Sequence, residues 1–198
     1  MSTDLGGVAV ALVTIAGTLG ATALTQYAAA RGKRLDAKIQ QGARIEKRRA
    51  AADRERRAIY AELNNAVRDY RAHGHDYVIG LLDGARTENM RQLEKARRKY
   101  AGIYARAQMI LPDRVLIVAR AVNDGLGHSY RAIHDIVEGS DGAMECERLH
   151  QWYDGPLLEA VDLLRAVLRE DLGVTDNRPD IDHGLQSMRE ARLAMWPH

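Results

Sequence analysis

The chain has 198 residues, of which 46% are hydrophobic and 28% are charged. This composition is typical of an ordered protein and excludes a disordered or collagen-like chain. The single cysteine, Cys146, excludes a disulfide framework and a zinc site of four thiolates, and the net charge of +2 indicates by itself no class of partner.

An uncharged segment of 21 residues, Leu5–Thr25, stands near the start of the sequence. As an α-helix it would be about 31 Å long, which matches the hydrocarbon thickness of a bilayer. Its glycine and threonine residues would weaken a helix in water but are ordinary in a membrane helix. Tyr27 follows the segment, where aromatic side chains collect at the membrane interface. We therefore predict a transmembrane anchor over residues 1–30.

A cleavable signal peptide and a buried helix of a soluble protein are the two alternatives to an anchor. A signal peptide begins with positive charge and has an apolar run of about 7–15 residues. This chain instead begins with Met1–Asp4, and its apolar run is longer, although Ala28–Ala30 is similar to a cleavage site. A buried helix is rarely this long without a charge, so a retained anchor is the prediction that fits best.

The charges on either side of the segment predict its orientation. Asp4 precedes it, and the residues that follow include Arg31, Lys33, Arg34 and Lys38. Because basic flanks favour the cytoplasmic side, we expect the amino terminus outside the cell and the C-terminal domain in the cytoplasm. The four basic residues are then the predicted membrane-surface contacts, since anionic lipids attract them.

Small residues recur at intervals of four within the segment. Ala16 lies four residues before Gly20, and Gly17 lies four residues before Ala21. Such pairs let two membrane helices approach closely. They predict self-association of the anchor and hence a homo-oligomer.

Residues 31–57 form a basic segment with 11 basic and 4 acidic side chains. Between Arg34 and Tyr70 good helix formers dominate, and Gly42 alone would weaken the helix. Apolar residues are too sparse before Ile59 for a coiled-coil seam. We predict a solvated helical stalk that continues from the anchor. A nucleic-acid-binding strip is the alternative, but it would need interleaved aromatic residues or a DNA-binding motif, so nucleic acid is not an expected partner.

Four apolar stripes at helical spacing follow over residues 58–174. They extend over Ile59–Leu81, Met90–Ile110, Val115–Val137 and Met144–Leu172. Short connections between them predict an antiparallel four-helix bundle. The polar tail, 175–198, is expected to hold one short helix near Gly184–Ala194. The predicted fold class is thus all-α, with a transmembrane helix, a basic helical stalk and an antiparallel helical bundle.

Glycine and proline residues mark the expected ends of these helices. The run from His73 to His75 is predicted to loosen or end the first one at Gly74. Asp154-Gly155-Pro156 interrupts the fourth stripe, with Pro156 placed to begin a new helix. Gly173 is the expected C-terminal cap of that helix.

Four segments carry a resemblance to known proteins. They are ERRAIYAELNNAVRDY at 55–70, YARAQMILPDRVL at 104–116, VNDGLGHSY at 122–130 and LRAVLREDLGV at 164–174. Together they resemble a group of small actinobacterial proteins that begin with a membrane helix, continue as an Arg/Ala-rich helix and end as a helical domain. The resemblance covers most of the chain and implies this architecture, but it implies no activity and no site residues.

Few residues are candidates for metal binding or catalysis. A di-metal site in a helical bundle needs two Glu-x-x-His motifs, and the bundle region holds one, from Glu147 to His150. Cys146 lies one turn from His150 but makes a weak thiol–imidazole pair. The cluster of His73, His75 and Asp76 is a further candidate for metal capture, although a polar loop is the preferred interpretation. No Walker motif, nucleophile elbow or H-E-x-x-H occurs, so we predict a protein that is not an enzyme and has no cofactor.

The function that these features favour is a membrane-anchored cytoplasmic scaffold or adaptor. Its expected partners are the lipid bilayer, further copies of itself and an unidentified cytoplasmic protein. A metal-binding or catalytic bundle that uses Glu147 and His150 is one alternative. A membrane-tethered nucleic-acid binder that uses the basic stalk is the other.

Overall fold

The computed structural model describes residues 5–83, 88–138 and 142–196, with side chains at 31, 38–83, 90–137 and 142–196. All regular elements in these ranges are α-helices, which confirms the all-α class. The helices are α1 (Leu5–Leu82), α2 (Glu88–Ala107), α3 (Asp113–Glu138), α4 (Gly142–Asp154), α5 (Pro156–Asp171) and α6 (Ile181–Met195). The chain divides into two units, residues 1–53 and 54–198.

The first unit consists, where it is described, of the N-terminal part of α1. Every side chain given between residues 31 and 53 is exposed. Within the described part of the chain, no helix combines the length and apolar character needed to cross a membrane. The predicted span Leu5–Thr25, with Ala16, Gly17, Gly20 and Ala21, lies outside the residues whose side chains are described.

The second unit is a helical bundle whose core comes from the predicted apolar stripes. Its largest fully buried side chains include Trp152, Tyr153, Leu63, Leu93, Leu126, Ile133, Leu149, Leu157 and Leu164. Two residues near helix ends differ from the prediction, since Val137 and Met144 are exposed. Val137 lies in the last turn of α3 and Met144 in the first turn of α4, where the helices leave the core.

Neighbouring helices of this unit run antiparallel, as their side-chain contacts show. Between α1 and α2, Lys99 pairs with Asp69, and Arg106 pairs with Glu62 further along. Residue numbers rise on one helix while they fall on the other. The same relation holds between α2 and α3, where Tyr100 bonds to Asn123 and Tyr130 to Glu94.

The predicted break between α4 and α5 and the predicted cap of α5 are both confirmed. Pro156 is the first residue of α5, where its missing N–H costs no hydrogen bond. At the other end Gly173 has φ +65°, a left-handed conformation that favours glycine. Its N–H donates to the carbonyl of Glu170, and the N–H of Val174 donates to that of Arg169. These two bonds form a Schellman motif that satisfies the last carbonyls of the helix.

The predicted break at Gly74 is wrong, because α1 continues as one helix to Leu82. A Cβ atom at Gly74 would lie 2.7 Å from Cζ and 2.9 Å from Cε1 of Tyr153. The glycine is therefore needed for close packing against another helix and does not end its own.

The tail contains α6, which packs against α3 and α5. Asp180 caps its start by accepting a hydrogen bond from the N–H of His183. Met188 is buried, and the ring of Trp196 packs edge-on against Trp152 with their centroids 5.0 Å apart. The final turns of the chain therefore contribute to the core of the second unit.

Candidate functional site

Two contacts bring α1 close to the C-terminal end of α4. The first is the packing of Gly74 against the ring of Tyr153. The second is a hydrogen bond of 2.8 Å from Nη1 of Arg71 to the carbonyl oxygen of Tyr153. The last carbonyls of a helix lack partners within it and carry partial negative charge, so a cation is favourable there. The two contacts fix the next residue of α1, His75, beside the last turn of α4.

A cluster of two histidines and an aspartate results from this approach. His75 Nε2 lies 3.0 Å from His150 Nδ1 and 3.1 Å from Asp154 Oδ1. His150 Nε2 lies 3.6 Å from Asp154 Oδ2, and these two residues are one turn apart on α4. The imidazole rings are near-parallel, with an interplanar angle of 19°. Three donor groups from two helices thus meet at one point.

Exposure differs across this cluster. The side chain of His75 is 19% exposed, that of His150 is 31% exposed and that of Asp154 is 52% exposed. The cluster therefore opens to solvent on the side of Asp154, while His75 lies beneath it. A small ion or a water molecule could enter from that side without displacing a helix.

A buried polar network supports the inner face of α4. Ser129 is fully buried, and its hydroxyl donates to the carbonyl of Gly125 over 2.8 Å. The same oxygen accepts a hydrogen bond of 2.9 Å from Nε1 of Trp152. Burial raises the pKa of the adjacent Tyr153, an effect that Ser129 and Arg71 partly oppose. Because buried polar atoms need partners, this network fixes the orientation of Trp152.

A second polar cluster joins α2 to α3. The hydroxyl of Tyr130 donates to the carboxylate of Glu94, and the guanidinium of Arg97 lies 4.5 Å from the centroid of the Tyr130 ring. This hydrogen bond, with Arg97 and Arg98, lowers the pKa of Glu94. Burial and the same carboxylate raise the pKa of Tyr130. The cluster links α2 to α3 through charged groups, and it brings together no set of metal ligands.

Of the predicted ligands, only His75 and His150 belong to the cluster. Glu147 is exposed and accepts a hydrogen bond from Gln151, so it does not join His150 in a site. Cys146 is buried. The predicted cluster of His73, His75 and Asp76 contributes only His75 to the donor group.

Asp154 was not predicted as a ligand from the sequence, and neither was the contact between His75 and His150 across two helices. The spacing of four residues between His150 and Asp154 was the available signal, since it places both side chains on one face of a helix. No local pattern relates either residue to His75, which lies 75 positions before His150.

Two of the predicted membrane-surface residues, Arg31 and Lys38, are exposed on α1. The side chains of Lys33 and Arg34 lie outside the described residues. Lys38 begins a stretch of described side chains, 38–55, that are all exposed. The stretch is helical throughout and mixes basic with acidic groups.

Comparisons with known proteins identify no relative. No family model, no curated protein and no solved structure matches this chain.

Proposed function

We propose that this protein is a membrane-anchored helical scaffold that holds a cytoplasmic bundle through a basic stalk. The anchor is Leu5–Thr25, the stalk is the segment 31–57, and the bundle is built by the helices that follow. The partners are the bilayer, further copies of the chain and a cytoplasmic protein.

The observation that carries this proposal is the continuity of α1. One helix begins at Leu5 and ends at Leu82, so it includes the uncharged segment, the basic segment and the first helix of the core. A helix that is exposed on all sides and rich in charged residues can act as a spacer between packed parts. Residues 38–55 have that character, while Ile59 and Leu63 further along the same helix are buried.

Electrostatics supports attachment of the stalk at the membrane surface. Arg31, Lys33, Arg34 and Lys38 follow the uncharged segment directly. Anionic lipid contributes about 1 kcal/mol for each basic residue near the headgroups, and the attraction fades within about 10 Å at moderate salt. The later basic residues of the stalk therefore serve its solubility.

A groove between α3 and α6 supports contact with another protein. Apolar and basic residues line it, namely Ile117, Ala121, Leu185, Met188, Arg120, Arg189 and Arg192, together with Asp124. Ile117 is 51% exposed. An apolar segment with acidic neighbours would complement this surface, because arginine and large apolar side chains contribute strongly at protein interfaces.

The orientation is tested by labelling single cysteines in intact cells. In a Cys146→Ala background, Ser2→Cys probes the amino terminus and Met109→Cys probes the bundle, where Met109 is 86% exposed. We expect a membrane-impermeant maleimide to label Ser2→Cys in intact cells. Met109→Cys should be labelled only after the membrane is permeabilised. Labelling of Met109→Cys in intact cells, or protection of both positions until lysis, would contradict the proposed topology.

A further inference from the structure

We propose that His75, His150 and Asp154 form a binding site for one divalent transition-metal ion of the zinc class. The site would join α1 to the last turn of α4. It is independent of the proposed anchor and scaffold, because it uses only residues of the second unit.

The donor set favours this class of ion. Zinc is bound by imidazole nitrogen and carboxylate oxygen, and sites with two histidines and one carboxylate keep a fourth position for water. Calcium and magnesium prefer oxygen ligands throughout, so two imidazoles at one point argue against them. One ligand atom from each of the three side chains lies within 4.8 Å of the other two.

The two distances at His75 Nε2 are close to those of a tetrahedral site. With metal–ligand bonds of about 2.0–2.2 Å, two ligands of a tetrahedral ion are about 3.3–3.5 Å apart. His75 Nε2 lies 3.0 Å from His150 Nδ1 and 3.1 Å from Asp154 Oδ1. One ligand atom of each residue lies within 4.8 Å of the other two. An ion could therefore be accommodated by small side-chain rotations, with α1 and α4 unchanged in position.

Hydrogen bonding alone cannot satisfy the contacts of His75 Nε2 with both of its neighbours. His75 Nε2 faces both His150 Nδ1 and Asp154 Oδ1. A ring nitrogen carries at most one hydrogen, so it cannot donate fully to both atoms. A cation at the centre of the three groups would interact with all of them at once, which is the arrangement that the geometry favours.

The surroundings hold the ligands in place before an ion binds. Gly74 packs against the ring of Tyr153, and Arg71 donates to its carbonyl oxygen, so both residues hold α1 against α4. Tyr153 is itself 1% exposed. His150 and Asp154 are one turn apart on α4, so the helix fixes the separation of their Cα atoms. Preorganised ligands bind more tightly because less side-chain freedom is lost.

Metal titration of the full chain in mild detergent tests the site. The protein is prepared without a histidine tag and stripped with a chelator, and Zn²⁺ binding is then measured by calorimetry. We expect one Zn²⁺ per chain. His75→Ala and His150→Ala should each weaken binding by at least tenfold, and Asp154→Asn by about tenfold. His183→Ala should bind as the unchanged chain does, because His183 is exposed and distant in sequence from the cluster.

Co²⁺ provides a second readout that does not depend on the stability of a variant. The unchanged chain should give the intense visible absorption of tetrahedral Co²⁺, displaced by one equivalent of Zn²⁺. His75→Gln, which keeps a polar side chain of similar size, should lose this absorption while its circular dichroism remains helical. Absence of saturable binding to the unchanged chain would overturn the proposal. So would binding of unchanged affinity in folded His75→Gln or His150→Ala.

Discussion

Trp152→Ala is expected to destabilise the bundle by about 3–5 kcal/mol, because a large buried side chain is replaced by a cavity. Trp152 is fully buried, and its ring lies beside Gly125 of α3 and packs edge-on against Trp196 after α6. One substitution therefore loosens three helices together. The loss is a large part of the roughly 5–15 kcal/mol that stabilises a domain.

Thermal unfolding in mild detergent, followed by near-ultraviolet circular dichroism, measures this effect. We expect the midpoint to fall by about 8–15 °C for a unit of this size. Met144→Ala is the matched control, since Met144 lies on the same helix and is 67% exposed. It should change stability by less than about 0.5 kcal/mol. Equal effects of the two substitutions would contradict the assigned core.

Trp152→Phe separates packing from hydrogen bonding within the same prediction. The phenyl ring retains most of the apolar contact but leaves the Ser129 oxygen without its donor. Ser129 still donates to the carbonyl of Gly125. Loss of one buried hydrogen bond amounts to about 1–3 kcal/mol, so this variant should lie between the unchanged chain and Trp152→Ala in stability.

Gly74→Ala is expected to destabilise the protein although alanine is the better helix former. The added Cβ would lie 2.7 Å from Cζ of Tyr153, and that ring is buried on all sides. Overpacking of this kind costs about 1–3 kcal/mol, whereas the gain in helix propensity is about 1 kcal/mol. We expect a net loss of up to about 2 kcal/mol.

The matched control for Gly74→Ala is the same change at Gly102. Gly102 is exposed on α2, and no atom lies within 4 Å of a Cβ built there. Gly102→Ala should therefore stabilise the helix by about 0.5–1 kcal/mol. The two substitutions are thus expected to shift the unfolding midpoint in opposite directions. A rise in stability on Gly74→Ala would show that α1 and α4 are not in close contact at this point.

Local sequence patterns were sufficient to predict the helices and several of their ends. The helical spacing of Ile59, Leu63 and Val67 identified the buried face of α1, because one face of a helix repeats every three to four residues. Pro156 and Gly173 identified the ends of α5, because their backbone preferences act within the residues that carry them.

Features that depend on contacts between helices could not be predicted from local patterns. A glycine within a helix can mark a break or a close approach, and the difference at Gly74 lies in Tyr153, which is distant in sequence. The meeting of His75 with His150 depends on the same approach. The packing of Trp196 on Trp152 likewise depends on the position of α6 against α3 and α5.

Membrane extraction is the measurement that tests the proposed anchor most directly. Membranes from cells that express the full chain are washed with alkaline carbonate, and the protein is followed in pellet and supernatant. In the variant Val13→Arg with Ile15→Arg, two charges stand near the centre of Leu5–Thr25, each unfavourable there by about 2.5–3.5 kcal/mol. Ile39→Arg with Ile45→Arg is the control, since both isoleucines are exposed on the stalk.

We expect the unchanged chain and the Ile39→Arg/Ile45→Arg variant to remain in the carbonate-washed pellet. The Val13→Arg/Ile15→Arg variant should appear in the supernatant. Recovery of the unchanged chain in the supernatant, or retention of the Val13→Arg/Ile15→Arg variant in the membrane, would contradict a transmembrane anchor at this segment.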